Sequence, residues 1–486
     1  MDKYQMYING EWVDSVTGKT RDVVNPYTSE ALWQVPDGNE KDVDKAAKAA
    51  FEASEAWADT LVTDRVNYLM GALQSIMAKG ERIIDILVKE GGQAISVCRM
   101  FHMGSLGVLT DAIQTATKFY GETIPSATGR LSITLKPPLG VVGLITAWNF
   151  PFVINLLKTA PALLSGNTVV LKPSIETPIN ALELARVFDE IGLPKGVFNV
   201  VTGTGAVVGR RLVEHPNVSK ISFTGSTSTG RDVAERAGRG LKNLTLELGG
   251  SDPVIICDDA DIEWASDAVV SGRFTHQGQI CISSKRIILF EKIAGEFKEK
   301  LMEKTRKLKI GDPMDIKTQI GPLINKEAIR KVDEQVKGSI EQGAKLLCGG
   351  MYENLVYEPT ILDNCTNEMP CCKEECFGPV APIITVPDFD SAIRAANESA
   401  YGLSSGIFTR DVTRAMKAAN KIQSGAVHIN DCSMYFDPFA PFGGVKGSGM
   451  GKEMGGHYAF REYTSTKWVT INTDRVTYPY LAFDDQ

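Results

Sequence analysis

A chain of 486 residues is too long for one ordinary domain and long enough to bury more than one core. Hydrophobic residues at 43% and charged residues at 23% are those of a soluble globular protein. The 52 basic and 59 acidic residues give a net charge of -7 without a long run of either sign, so neither nucleic acid nor a membrane surface has electrostatic support as a partner.

The start of the chain lacks a leader-like apolar stretch, and no run approaches the length needed to cross a bilayer; a cytoplasmic protein is expected. Nine cysteines are an odd number and too dilute for a disulfide scaffold. Cys371, Cys372 and Cys376 lack paired Cys-x-x-Cys spacing and a nearby histidine, so no metal site is expected there.

In chain order, residues 4–36 alternate short apolar runs with the turn pairs Asn9-Gly10, Thr17-Gly18 and Asn25-Pro26, which predicts a meander. Residues 40–116 place apolar side chains at helical spacing, as in Val43, Ala46, Ala47, Ala50 and again in Ile83, Ile84, Leu87, Val88. Residues 119–137 turn β-prone and read as a strand excursion. Strands are then predicted at 140–147, 167–171, 197–201, 220–223 and 244–248, separated by helices near 156–164, 180–191, 206–214 and after Gly225. That alternation predicts an α/β fold with a mostly parallel sheet covered on both faces. After the hinge-like pair Gly249-Gly250, a second α/β block is expected over 251–449, with strands near 253–257, 286–289, 380–385, 406–408 and 426–429. Residues 463–471 alternate as an edge strand in need of a partner, which predicts oligomerisation through it.

Ligands of such sheets bind at the carboxyl ends of the strands. Those ends deliver Trp148-Asn149-Phe150-Pro151, Lys172, Thr224-Gly225-Ser226 and Glu247-Leu248-Gly249-Gly250, which should converge on one crevice. The glycine-rich loop 202–209 departs from the dinucleotide fingerprint at its third glycine and also reads as an ordinary strand-to-helix turn. Gly225 and Ser226 stand where a helix start could favour a phosphate, or where serine simply caps the helix. Cys281, among Gly278, Gln279, Ser283 and Ser284, is open to two readings, a nucleophilic thiol approached closely by backbone or a small buried filler.

Taken together, Trp-Asn-Phe-Pro at Asn149, Lys-Pro-Ser at Lys172, Phe-Thr-Gly-Ser-Thr at Ser226, Leu-Glu-Leu-Gly-Gly at Glu247 and Gly-Gln-x-Cys at Cys281 resemble the aldehyde dehydrogenase superfamily. So do Glu-Cys-Phe-Gly-Pro from Glu375, His-Ile-Asn at Asn430 and Pro-Phe-Gly-Gly from Pro441. The blocks occur in the family's order from about residue 7 to residue 468.

The resemblance implies a Rossmann-like cofactor domain (residues 1–118 and 138–249), an α/β catalytic domain (250–450) and a small β oligomerisation or bridging extension (119–137 and 451–486), with a homodimer or homotetramer expected. It implies Cys281 as the nucleophile that forms a thiohemiacetal and then a thioester. Glu247 would be the base for the hydrolytic water, Asn149 with the Cys281 N-H the oxyanion donor, and Lys158 with Glu453 a proton relay or a structural ion pair. For NAD or NADP it implies Lys172, Ser174 and position 175 at the adenine ribose, Gly225 and Ser226 at the pyrophosphate, and Glu375 at the nicotinamide ribose, with Trp148 and Phe377 packing nearby. The family often has glutamate at the position of Ile175, where it repels a 2'-phosphate; isoleucine there predicts acceptance of NADP.

Phe150, Leu157 and Phe442 match the family's substrate-pocket positions, and residues 434–439 add aromatic surface at the mouth. A medium-chain aliphatic or aromatic aldehyde is the expected substrate, with a hydroxyaldehyde or semialdehyde as the alternative. Three other readings are a coenzyme A-acylating relative, disfavoured by the presence of Glu247, a cysteine hydrolase pairing Cys281 with His276, and a catalytically silent relative.

Overall fold

Strand Val141–Ile145 lies in the middle of an eight-stranded sheet in the computed structural model, which describes residues 2–476 together with Tyr478 and Tyr480. The sheet order is Gly449–Met450, Asn243–Glu247, Val218–Thr224, Val141–Ile145, Thr168–Lys172, Phe198–Val200, Met6–Ile8 and Glu11–Val13. The five central strands run parallel, and antiparallel strands close both flanks. Every residue of Val141–Ile145 and Thr168–Lys172 is buried, as continuous apolar strands between two helical layers require.

From Val141–Ile145 the chain first winds outward through Thr168–Lys172 and Phe198–Val200. It then returns to the other side through Val218–Thr224 and Asn243–Glu247. The reversal leaves a crevice beyond the carboxyl ends of Val141–Ile145 and Val218–Thr224, where open α/β sheets hold their ligands. Helix Pro151–Leu164 begins earlier than its apolar pattern suggested because Pro151 occupies the first turn, where its fixed φ and missing N-H cost nothing.

The second sheet has seven strands in the order Lys345–Cys348, Thr360–Asp363, Val380–Val386, Ser284–Phe290, Asp252–Ile256, Gly406–Phe408 and His428–Ile429. Its first two strands escaped the sequence reading. Lys345–Cys348 is short and largely exposed, so it carries little apolar signal. The predicted amino-terminal meander is divided. Met6–Ile8 and Glu11–Val13 turn at the left-handed pair Asn9-Gly10 and extend the first sheet, while Asp2–Lys3, Thr20–Val24 and Ala31–Pro36 form a separate sheet.

The carboxy-terminal strand Lys467–Ile471 finds its first partner within the chain, pairing antiparallel with Leu131–Leu135. This corrects the expectation that its unpaired edge alone would demand a second copy. The ribbon joins the excursion near residue 131 to the tail; residues 481–486, assigned to the same extension, lie outside the described residues. Among the described residues no helix is long and apolar enough to cross a membrane.

Candidate active site

A cavity of about 290 Å³ opens at the crevice, and its walls include Trp148, Asn149, Gly225, Ser226, Glu247 and Cys281. Phe150, Leu157 and Phe442 line the same cavity, as do Glu375, Phe377 and Glu453. Lys172, Ser174 and Ile175 are not among its walls. Lys172 ends its strand buried, and that burial, with Arg21 nearby, lowers its ammonium pKa to about 8.

Cys281 follows a strained turn in which His276, Gln277 and Gly278 all have positive φ, 50°, 55° and 70°. For the two non-glycine residues this is costly and persists only where the surroundings over-determine it. Buried Arg273 supplies the bracing. Its guanidinium donates to Ser283 Oγ at 2.8 Å and to the Cys376 carbonyl at 3.0 Å, and it also reaches the carbonyls of Gly378 and Val380. Lys285, fully buried, donates to the carbonyls of Ile280 at 2.7 Å and Cys281 at 2.5 Å, with Glu375 Oε1 3.4 Å away. The loop bearing Cys281 is thus tied to the segment bearing Glu375 and Phe377. Burial pushes the Cys281 thiol up to about 12, with Lys285 pulling the other way.

Glu247 ends the strand Asn243–Glu247 and is 3% exposed, and neither of its carboxylate oxygens meets a hydrogen-bond donor among the described residues. Burial, followed by the charge of Glu453, raises its pKa well above the usual carboxylate range. Its two oxygens keep their hydrogen-bonding capacity for whatever enters the cavity. Behind it Glu453 pairs with Lys158, both buried, and Ser222 joins them by accepting from Lys158 Nζ at 2.7 Å and donating to Glu453. Ser222 was not anticipated; a polar residue in the middle of the buried strand Val218–Thr224 was the available signal.

Asn149 Nδ2 donates to the Gln279 carbonyl at 3.1 Å, which fixes its amide two residues from Cys281. Its own carbonyl accepts from Gln93, another unanticipated contributor. Phe101, from helix Ile95–Ala116, stacks on Phe150 at 4.0 Å and tilts against Phe436 at 6.1 Å, so the aromatic wall is wider than Phe150 and Phe442 alone. Ile280, Ile282, Met434 and Met454 complete its apolar side, and Lys331 stands exposed among the lining residues.

Trp148, Gly225, Ser226, Glu375 and Phe377 stand together in the cavity wall. Glu375 Oε1 accepts from the Gly250 N-H at 3.0 Å, and Gly249 leaves the carboxylate room that a Cβ, 2.4 Å from Glu375 Oε2, would take. Trp148 meets Phe377 edge to face at 5.5 Å. Ser226 caps helix Thr227–Arg239, accepting from the Thr229 N-H. Glu176, one position beyond Ile175, spends an oxygen on Asn325 Nδ2 at 2.8 Å.

The hydrolase reading needs His276 beside Cys281, and the structure overturns it. His276 is buried against Phe150, with one ring nitrogen 3.3 Å from the Gln93 amide and the other 3.1 Å from Gln277 Oε1. Burial lowers its pKa to about 4, so it is a poor base. The cysteine cluster is also composed differently than its sequence spacing suggested: Cys365 joins Cys371 and Cys372, while Cys376 stands apart.

The crevice beyond the parallel sheet thus gathers a thiol, an unpartnered buried carboxyl group and an amide donor around one cavity. The chain matches the aldehyde dehydrogenase family over residues 12–469 and belongs to it. It is 39% identical to aldehyde dehydrogenase 1A1 of Gallus gallus over 96% of this chain and 93% of that one. Among solved structures, betaine aldehyde dehydrogenase from Staphylococcus aureus in complex with NAD+ superposes with a TM-score of 0.96 at 34% identity, covering 99% of this chain and 97% of that one. An E. coli NADP-dependent enzyme superposes with a TM-score of 0.94 at 35% identity, covering 96% and 98%.

Proposed function

We propose that this member of the family oxidises an aldehyde to its carboxylic acid through a thioester on Cys281. The observation that carries the reading is the convergence of Cys281, the unpartnered Glu247 and the fixed amide of Asn149 on one cavity. Cys281 rests as a thiol, so attack on the carbonyl needs a base; Glu247, once ionised, is the carboxylate at hand. The oxyanion of the thiohemiacetal is received by Asn149 Nδ2 and the Cys281 N-H. Trp148, Gly225, Ser226, Glu375 and Phe377 would hold a nicotinamide dinucleotide, which would supply the hydride acceptor. Glu247 first releases the proton gained from Cys281 and then takes one from the water that hydrolyses the thioester, and Lys158, Ser222 and Glu453 offer both protons a buried route.

Ile175 in place of an acidic residue, and the engagement of Glu176 with Asn325, support NADP as an acceptable cofactor alongside NAD. The apolar and aromatic wall of Phe101, Phe150, Leu157, Phe436 and Phe442 favours a medium-chain aliphatic or aromatic aldehyde. The domain division we assign is 1–118 with 138–249 for the cofactor, 250–450 for catalysis, and 119–137 with 451–486 as the extension; strand Gly449–Met450 crosses from the second block to pair with Asn243–Glu247 in the first sheet. On that extension Leu131, Leu135, Trp468 and Ile471 are exposed, and a homodimer or homotetramer built on the ribbon would cover them. Following NAD(P)H absorbance with a panel of aldehydes tests the proposal, and octanal and benzaldehyde should outrank charged semialdehydes.

A further inference from the structure

The three thiols of Cys365, Cys371 and Cys372 have no part in the proposed chemistry. Their sulfurs all lie within 4.8 Å of one another, and the vicinal pair Cys371 and Cys372 is 3.8 Å apart and unbridged. Cys365 follows strand Thr360–Asp363, and the other two lie on the short helix Pro370–Lys373. The backbone around them is held: the Cys371 N-H donates to Ser339 Oγ at 3.1 Å, and the Cys372 carbonyl accepts from Ser251 Oγ at 2.9 Å. A rotation about χ1, rather than a backbone movement, is what would bring the sulfurs closer.

We infer that Cys365, Cys371 and Cys372 form a chelating site for a trivalent, thiophilic arsenical such as arsenous acid. Coordination number and charge select this class. The cluster offers three sulfurs and, among the described residues, no fourth ligand, since Cys376 lies outside the group. Zinc would be left short of its tetrahedral set, and three thiolates on a divalent or monovalent ion would bury a net negative charge in an apolar core. A trivalent arsenical held by three thiolates is neutral and three-coordinate. The step is a substitution: three As–O bonds break and three As–S bonds form, the three thiol protons leave with the hydroxides as water, and no atom changes oxidation state.

The three cysteines are buried, at 5%, 0% and 1% exposure, but the flanking Asn364, Thr366, Glu368 and Lys373 are all exposed. The same segment runs on to Glu375, which lines the main cavity. An isolated thiol such as Cys281 can form only one As–S bond and lacks the chelate advantage.

The test is native mass spectrometry of the reduced full-length protein after incubation with sodium arsenite and removal of the excess. The expected adduct is one arsenic per chain with the loss of three hydrogens, and peptide mapping should find Cys365, Cys371 and Cys372 protected from iodoacetamide. Cys371→Ser and Cys365→Ala should each weaken retention roughly a hundredfold, whereas Cys348→Ala should retain one arsenic. The inference is overturned if the wild-type chain retains no arsenic, loses only two hydrogens, or is protected at other cysteines. The adduct mass and the mapping on the wild-type chain decide the matter even if a variant does not fold.

Discussion

Lys285 Nζ lies 2.5 Å from the carbonyl oxygen of Cys281, the residue whose thiol faces the cavity. The cation is fully buried and also reaches the Ile280 carbonyl and, at 3.4 Å, Glu375. It fixes the position of the nucleophile's backbone and is the main influence lowering the thiol's pKa. Lys285→Met keeps the stem and removes the charge. Turnover should fall by roughly 10- to 100-fold, since misplacement of about an ångström costs that much, and alkylation of Cys281 should slow at neutral pH. Unchanged alkylation would show that Lys285 only supports the loop.

Burial holds the Cys281 thiol at about 12, so its thiolate is scarce at neutral pH. Below a thiol's pKa the thiolate population rises about tenfold per pH unit. Iodoacetamide inactivation of the protein without cofactor should therefore accelerate through pH 9 with no plateau. A plateau near pH 7 would mean that the resting thiol is already ionised.

The Lys158 and Glu453 pair is buried on both sides. Lys158→Met leaves a carboxylate buried without its cation, and a loss of about 3–5 kcal/mol in unfolding free energy is expected. The double variant Lys158→Met with Glu453→Leu should recover a large part of it. Urea denaturation measures both, and equal losses in single and double variants would rule out the pair as the source.

Ile175→Glu restores a carboxylate where NAD-selective relatives often carry one. The ratio of kcat/KM for NADP to that for NAD should drop by at least about tenfold, through a raised KM for NADP. An unchanged ratio would place cofactor discrimination elsewhere.

The strand tips were legible in the sequence because each couples a buried apolar run to an abrupt polar end, as at Ile145 to Asn149 and Leu246 to Glu247. The family resemblance then assigned the nucleophile, which Cys281 by itself could not. Phe101 was not legible: it sits on an ordinary amphipathic helix far along the chain and becomes a pocket wall only because Ile95–Ala116 packs on Pro151–Leu164. Lys285 and Arg273 were hidden for a related reason, since a cation in a sequence reads as surface unless its backbone acceptors are known. The tail strand misled in the opposite direction, because its partner Leu131–Leu135 lies more than three hundred residues away in the sequence.

The most direct test of the central claim is the rate of NAD(P)H formation from a medium-chain or aromatic aldehyde by the wild-type chain and by Cys281→Ala. Steady turnover in the wild type, lost in Cys281→Ala, with a thioester on Cys281 recovered when the wild-type reaction is acid-quenched during turnover, is the predicted result. Turnover that survives Cys281→Ala, or its absence from a folded wild-type protein with every aldehyde and both nicotinamides, would contradict the account.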